Sequence, residues 1–171
     1  MASWRKAPHS QAVSDPWEQI DWSALERIRA GYLGETAGQE DYWTSESDLL
    51  SYDLTFAQRI GWKWDYVCAE LRRLGWTPPS APLLDWGCGT GIAHRTFIRK
   101  FPEAAQQRLA LWDRSSLARD YARHTALEQF EALDVVEHDP ARAFEGVVLI
   151  SHVLTELDER SQEELTQSLR S

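Results

Sequence analysis

Nine residues near the middle of the chain, LLDWGCGTG at positions 83–91, limit the fold more than any other feature. They follow the stiff segment TPPSAP at 77–82, which we take as a domain boundary. The apolar start is typical of a buried strand, and glycines at alternate positions allow a sharp turn and the close approach of a ligand to the backbone. The stretch therefore predicts a strand, a tight loop and then a helix.

After this loop, short apolar runs alternate with helical patterns. Strands are predicted in APLLDWG, QRLALWD, ALDVV and FEGVVLIS, and helices in IAHRTFIRKF, SSLARDYARHTALEQF and DERSQEELTQSLRS. Such alternation is typical of α/β proteins with a parallel, doubly wound sheet. We expect a Rossmann-like α/β fold, in which ligands bind beyond the carboxyl ends of the strands.

The chain before the boundary has a different pattern. Residues 1–20 show no period and are predicted to be a disordered lead-in, residues 21–76 an N-terminal helical extension, and residues 81–171 a partial Rossmann-like domain. The longest helical pattern runs from Leu49 to Leu74. Ser45 and Asp48 resemble a capping box at its start, and Gly61 is the predicted point of a break or kink.

Composition and charge argue against several classes of protein. The 171 residues suffice for one domain, and a formal net charge of −9 does not favour binding to nucleic acid or to an anionic membrane. We expect no membrane span and no secretory signal, because long apolar runs are lacking. Cys68 and Cys88 form no CxxC motif, which favours a reducing, cytoplasmic location.

The spacing of the glycines distinguishes between classes of ligand. A dinucleotide fingerprint, G-x-G-x-x-G, needs a glycine where Ile92 stands, and a P-loop needs a lysine that does not follow. The pattern present is D-x-G-x-G-x-G, formed by Asp85, Gly87, Gly89 and Gly91. The alternative interpretation is a tight strand-to-helix turn that binds no ligand.

This pattern resembles motif I of the class I S-adenosylmethionine-dependent methyltransferases. The resemblance implies that the glycines admit the aminocarboxypropyl arm of S-adenosyl-L-methionine, and that Asp85 orients the loop and the amino group of the cofactor. The family also has an acid after strand two that holds both ribose hydroxyls, and Asp113 stands there. Asp134 is expected to end strand three near the adenine, with a plain turn acid as the alternative.

Three polar residues follow the predicted fourth strand, where this family has groups that face the substrate. Ser151 is predicted to contact the cofactor, and His152 to be a base or a substrate contact. The alternative for His152 is a residue that starts a helix and bonds to nearby backbone, and Glu156 is expected to be a solvated or loop-capping acid. The amino-methyltransferase signature [DNS]-PP-[YFW] is replaced by SHVL, which argues against methylation of an exocyclic base amine.

The segment VVLISHVLTELDERSQEELTQSL carries a narrower resemblance. It is similar to the strand-four region of the methyltransferase-like proteins associated with the mitochondrial small ribosomal subunit and of their bacterial relatives. The resemblance covers residues 65–171 and implies ribosomal RNA or the small ribosomal subunit as acceptor or partner. The metal-binding cysteines of that family have no counterpart here, so no metal site is predicted. The arginines of HRTFIRK and DRSSLARDYAR are expected on solvated helix faces, with RNA phosphate contacts as the alternative.

Class I methyltransferase sheets have more strands than the four that this sequence predicts. We therefore expect a sheet truncated after strand four, and self-association is one way to cover its open edge. Three hypotheses about function stay open: a methyltransferase, a non-catalytic assembly or binding module that keeps the cofactor fold, and an inactive remnant.

Overall fold

The structure is a computed structural model that describes residues 15–33, 42–106 and 108–169. The helices are α1 (Trp22–Leu33), α2 (Glu46–Leu54), α3 (Phe56–Arg73), α4 (Ile92–Lys100), α5 (Ser116–Gln129) and α6 (Glu159–Ser168). Short 3-10 helices lie at Pro16–Gln19, Pro102–Gln106 and Leu154–Glu156. The strands are β1 (Leu83–Trp86), β2 (Leu109–Trp112), β3 (Val135–Glu137) and β4 (Val147–Ile150). Within the described ranges, no helix is both long and apolar enough to cross a membrane.

The four strands form one parallel sheet in the order β3-β2-β1-β4. Leu83 of β1 pairs with Leu109 of β2 on one side and with Val147 of β4 on the other. The chain moves outward from β1 to β3 and then crosses to the opposite side of β1, so the direction of winding reverses between β1 and β4. This arrangement confirms the Rossmann-like α/β fold, in which ligands bind at the reversal point beyond the carboxyl ends of the strands.

The N-terminal helices pack on the sheet domain through two hydrophobic clusters: α3 joins the core of the sheet, and α1 and α2 join α5 through Ile28, Leu49 and Tyr121. Leu83, Leu109 and Leu149 of the sheet are buried together with Phe97 of α4, and Cys68 of α3 belongs to the same cluster. The helices before the predicted boundary therefore pack directly on the domain after it. The division of the chain into separate domains stays a prediction.

The long helical pattern is interrupted at a different residue from the one predicted. It splits into α2 and α3 at Thr55, whose φ of −125° and ψ of −86° are not helical. Gly61 lies buried inside α3, where a Cβ atom would be 3.3 Å from the side chain of Ile92, so glycine lets α3 and α4 pack closely. Ser45 caps α2 as predicted, because its side chain accepts a hydrogen bond from the amide of Asp48.

The lead-in predicted over residues 1–20 differs from the structure at its end. Residues 1–14 lie outside the described residues. Pro16–Gln19 form a 3-10 helix, which Asp15 caps by accepting a hydrogen bond from the amide of Trp17 at 3.0 Å. Ile20 follows and is buried. Local capping and the burial of one apolar side chain thus order a segment that has no sequence period.

Candidate functional site

A cavity of about 260 Å³ opens at the carboxyl ends of β1, β2 and β4. The loop between β1 and α4, residues 87–91, forms one wall, and we call it the glycine loop. The amides of Gly87 and Cys88 donate hydrogen bonds to the carbonyl oxygen of Trp112, at 2.7 and 2.9 Å. These bonds tie the loop to the end of β2. The cavity therefore lies where the topology predicts a ligand site.

The three glycines of the loop serve different purposes. A Cβ atom on Gly87 would lie 2.9 Å from Val153, and one on Gly91 would lie 2.4 Å from the Cε1 atom of His94. All three glycines have φ in the left-handed region, at +74°, +50° and +81° for Gly87, Gly89 and Gly91. A Cβ atom on Gly89 would meet no atom within 4 Å, and Gly89 lines the cavity. Gly89 is therefore open to a ligand, whereas Gly87 and Gly91 are required by packing within the protein.

Asp85 lies beneath the glycine loop and not among the residues that line the cavity. Its Oδ2 atom is 2.7 Å from the Nδ1 atom of His94, and both side chains are fully buried. The other polar atoms of the pair, Asp85 Oδ1 and His94 Nε2, have no hydrogen-bond partner in the part of the chain that the structure describes. Asp85 thus holds the first turn of α4 against β1, and its contact with a cofactor amino group stays a prediction.

Asp113 lines the cavity directly after β2. Its Oδ2 atom accepts a hydrogen bond from the amide of Gly89 at 2.9 Å, and its Oδ1 atom accepts one from the amide of Ser115 at 3.0 Å. A carboxylate can accept more than two hydrogen bonds. The acid predicted after strand two therefore binds the central glycine of the loop and faces the same cavity.

Ser151 and His152 follow β4 and also line the cavity. The hydroxyl of Ser151 accepts a hydrogen bond from the indole nitrogen of Trp64, at 2.8 Å. His152 has a φ of 57°, a left-handed conformation that costs free energy in a residue other than glycine. Its Nε2 atom lies 3.2 Å from the Nζ atom of Lys63. An ammonium group can only donate, so Nε2 accepts and the ring proton belongs on Nδ1.

Partial burial, together with the charge of Lys63, lowers the pKa of His152. The imidazole is therefore neutral at neutral pH, but its Nε2 atom is already engaged. His152 is not the cap of either following helix, because Val153 precedes the 3-10 helix Leu154–Glu156 as its N-cap and Asp158 caps α6.

Glu156 is a wall residue of the cavity and not the solvated acid that the sequence suggested. Its side chain is partly buried, and burial raises its pKa; the carboxylate of Asp113 acts in the same direction, while the charge of Arg114 and a hydrogen bond with Tyr42 oppose it. A carboxyl group with a raised pKa in a cavity is a candidate for proton transfer. The sequence carried no signal for this role, because the burial comes from distant residues.

The N-terminal extension supplies an aromatic wall that the sequence did not reveal as part of the site. Tyr42, Trp43 and Tyr52 line the cavity. The rings of Tyr42 and Trp43 have centroids 4.7 Å apart, and those of Trp43 and Tyr52 are 5.2 Å apart. The sequence feature that could have indicated an aromatic wall was the concentration of tryptophan in the first half of the chain.

Arg95 links the glycine loop to the N-terminal helices, contrary to the expectation of a solvated arginine. Its guanidinium donates to the Oδ1 atom of Asp53 in α2 at 2.5 Å, and both residues are buried. It also donates to the carbonyl oxygens of Thr90 and Gly91, at 3.2 and 3.3 Å. The conformation of the loop is therefore coupled to the packing of α2.

Asp134 does not belong to the site, so the prediction that it ends strand three near an adenine is wrong. It precedes β3, at the amino ends of the strands, whereas the cavity lies at their carboxyl ends. Its carboxylate pairs with Arg108 at 2.8 Å, and its carbonyl oxygen accepts a hydrogen bond from the amide of Leu109. The strand predicted in ALDVV begins too far toward the N-terminus, because β3 begins only at Val135.

No protein-family model and no curated protein matches this sequence. Solved structures do match. The mitomycin 7-O-methyltransferase MmcR has a TM-score of 0.52 at 19% identity, over 90% of this chain and 45% of that chain. A putative O-methyltransferase from Nostoc punctiforme has a TM-score of 0.55 at 12% identity, over 86% of this chain and 45% of that one. The plantazolicin methyltransferase BpumL, solved with SAH, has a TM-score of 0.50 at 21% identity, over 86% of this chain and 57% of that one.

The chain thus spans about half the length of these similar proteins. At such identities the likeness concerns the fold. The described sheet contains a parallel β3-β2-β1-β4 unit with a glycine loop after β1. The chain has the Rossmann-like fold of the class I S-adenosylmethionine-dependent methyltransferases.

Proposed function

We propose that this chain binds S-adenosyl-L-methionine and transfers its methyl group to an acceptor. The observation that carries the proposal is the hydrogen bond between the Gly89 amide and the Asp113 carboxylate. It joins the glycine loop and the acid after β2 at one cavity, at the reversal point of the sheet. A protein of similar fold was solved with SAH, which supports the same class of ligand.

The residues around the cavity fit such a ligand. Gly89 leaves open space at its Cα, so a ligand can approach the backbone there. Asp113 would accept hydrogen bonds from the ribose hydroxyls, and Asp85 would act on the loop through His94. When bound, S-adenosyl-L-methionine supplies a methyl group already activated by its sulfonium, so the protein mainly aligns the acceptor.

Glu156 is the residue that we assign to proton transfer. An acceptor hydroxyl or amine must lose a proton during methylation, and the carboxylate of Glu156 can take it. His152 lines the same wall, but Lys63 engages its Nε2 atom at 3.2 Å. His152 is therefore assigned to contact with the acceptor.

The first test is binding. The folded chain is expected to bind S-adenosylhomocysteine in titration calorimetry and to show no binding of NAD at the same concentrations, because Ile92 occupies the position of the third dinucleotide glycine. Tight binding of NAD without binding of S-adenosylhomocysteine would refute the proposal. Binding without methyl transfer to any acceptor would favour the non-catalytic module, and no binding by a folded chain would favour the inactive remnant.

Asp113→Ala is expected to weaken the binding of S-adenosylhomocysteine at least ~10-fold, equivalent to about 1.4 kcal/mol. The variant loses charge-assisted hydrogen bonds, which contribute about 1.5–3 kcal/mol each, and it releases the Gly89 amide. Titration calorimetry measures the affinity. Asp134→Ala is the matched control, because it removes an acid at the amino ends of the strands, away from the cavity, and should leave the affinity unchanged. Equal effects of the two substitutions would contradict the assignment.

Glu156→Gln is expected to raise the free energy of unfolding at neutral pH. A raised pKa in the folded state means that folding disfavours the charged carboxylate, so the protonated form stabilises the fold fully below the unfolded value near 4.5. That stabilisation is lost as the pH rises through the folded pKa. Urea unfolding at several pH values should therefore show an advantage of the variant that shrinks on acidification. A variant that is less stable than the wild type at neutral pH would argue against a desolvated Glu156.

The identity of the methyl acceptor is a further question, separate from the binding of the cofactor. It stays a prediction that the acceptor is ribosomal RNA or the small ribosomal subunit. The cytoplasmic location and the self-association through the sheet edge also stay predictions. The names of two proteins of similar fold point to mitomycin and plantazolicin as what those proteins methylate. The net charge of −9 agrees better with a small acceptor than with RNA.

A further inference from the structure

A second cavity, of about 350 Å³, adjoins the first on the side of the N-terminal helices. We call it the vestibule. Four residues line both cavities and form a shared wall: Tyr52, Ile60, His152 and Glu156. The other described residues of the vestibule come from α1 and α3: Arg29, Phe56, Arg59 and Lys63. A molecule in the vestibule would therefore lie against the residues that we assign to the acceptor.

Positive charge dominates the vestibule. Three cationic side chains line it, Arg29 of α1 and Arg59 and Lys63 of α3, and Glu156 is the one carboxylate among its described residues. Arg59 and Lys63 are spaced i, i+4, a spacing at which like charges on a helix repel. The whole chain has 27 acidic and 18 basic residues. The vestibule is therefore positively charged although the protein as a whole is negatively charged.

Among the described residues, no acid is paired with these three cations. In residues 15–33, 42–106 and 108–169, no carboxylate lies within ion-pair distance of Arg29, Arg59 or Lys63. The contact of Lys63 is the Nε2 atom of His152, which carries no negative charge. Charges of one sign that converge on a concave surface attract ligands of the opposite sign.

The remaining walls of the vestibule are largely apolar, and two of their residues are aromatic, with ring planes inclined at 60° to each other. The rings of Tyr52 and Phe56 have centroids 5.7 Å apart, and Ile60 lies beside them in the wall shared with the first cavity. Aromatic walls of this kind bind planar apolar groups by stacking or edge contacts. The vestibule thus offers contacts for a planar body and charges for an anionic group on it.

We propose that the vestibule binds a small, planar methyl acceptor through an anionic group, a carboxylate or a phosphate, held by Arg29, Arg59 and Lys63. This inference rests on the proposed methyl-transfer function. The anionic group occupies the cationic end, and the nucleophile lies at the wall formed by His152 and Glu156. An RNA acceptor is disfavoured because the long-range field of a chain with a net charge of −9 repels a polyanion.

The test uses ligands with one ring system and different charge. Naphthoate and naphthyl phosphate are the anionic probes, and naphthamide of the same isomer is the neutral probe. Each is titrated into the full chain, with and without S-adenosylhomocysteine, and binding is followed by calorimetry. We expect the anionic probes to bind at least about fivefold more tightly than naphthamide and to lose this advantage at high salt, because salt screens exposed charges. The stronger of the two anionic probes identifies the preferred group.

The variant R59Q/K63Q tests whether the charges of the vestibule, and not its shape, hold the anionic probes. We expect it to bind the anionic probes about tenfold more weakly, to bind naphthamide unchanged, and to lose most of the salt dependence. Its affinity for S-adenosylhomocysteine should stay the same, because neither residue lines the first cavity. Its melting temperature should be equal to or above that of the wild type, since a repulsive pair is removed. R123Q/R142Q, which removes two exposed charges outside both cavities, is the matched control and should bind all probes as the wild type does.

Several results would overturn the proposal. These are equal affinity for naphthoate and naphthamide, absence of binding by both anionic probes, and equal losses in R59Q/K63Q and R123Q/R142Q. A short single-stranded RNA that displaces naphthoate at lower concentration than naphthyl phosphate would assign the cations to RNA and refute a small acceptor. Failure to bind S-adenosylhomocysteine would refute the proposed function instead, because the probe titrations without that ligand report on the vestibule independently.

Discussion

Replacing Arg95 by methionine is expected to lower the free energy of unfolding by about 3–5 kcal/mol, the usual loss when one member of a buried ion pair is removed. Arg95 and Asp53 are 6% and 8% exposed, so the Asp53 carboxylate would stay buried without its partner. Domains of this size are stabilised by about 5–15 kcal/mol, so the loss is a large share. Urea unfolding followed by tryptophan fluorescence measures it.

Arg99→Met is the control on the same helix. The side chain of Arg99 is 54% exposed, and its nearest carboxylate, Asp65, is 3.8 Å away, so a loss below about 1 kcal/mol is expected. The double variant Asp53→Leu with Arg95→Met should recover part of the loss, because no charge is left buried alone. Similar losses for Arg95→Met and Arg99→Met would contradict the role of Arg95. A double variant less stable than Arg95→Met would also contradict it.

Gly91→Ala is expected to lower the free energy of unfolding by about 2–4 kcal/mol and to weaken the binding of S-adenosylhomocysteine. The new Cβ atom would lie 2.4 Å from the Cε1 atom of His94. His94 is fully buried and bonded to Asp85, so the clash cannot be relieved without moving the first turn of α4. Chemical unfolding and titration calorimetry measure the two effects.

Gly75→Ala separates the clash from the backbone cost. Gly75 has a similar φ, +76°, but a Cβ atom there would meet nothing within 4 Å. The free energy of unfolding of Gly75→Ala should therefore fall only by the cost of the left-handed backbone conformation, about 1–2 kcal/mol. This variant should bind S-adenosylhomocysteine as the wild type does. If Gly91→Ala were no more harmful than Gly75→Ala, the contact between Gly91 and His94 would not explain this glycine.

The parts of the fold that sequence patterns predicted well are those with a strong local code. The apolar run before Gly87 forms β1, and Ser45 caps α2 at the predicted residue. The break at Thr55 was missed because both sides of it continue the same apolar spacing. Asp134 was assigned to the wrong end of β3 because a strand of three residues has too few apolar positions to define its ends.

In the candidate site, too, the residues with a local sequence pattern were predicted and the others were not. Asp113 could be found because a short strand followed by an acid is a local feature, and it lies in the cavity. Glu156 could not be found, since it shares the cavity wall with Tyr42 and Arg114, which are distant in sequence. Arg95 was misassigned because an arginine on an amphipathic helix is usually solvated, and only the approach of Asp53 from α2 buries its charge.

The sequence by itself determined the elements that depend on neighbouring residues: the strand that ends in a glycine loop, the helix that follows it, and the acid after the second strand. Backbone preferences and hydrophobic periods act over a few residues, so they can be read without tertiary contacts. The tertiary structure decided what each of these residues touches. It made Gly91 a packing contact of His94 and left Gly89 open to the cavity. It also brought α1 and α3 together, so that Arg29, Arg59 and Lys63 line one space. Such contacts arise from the packing of segments far apart in the chain, and no local pattern encodes them.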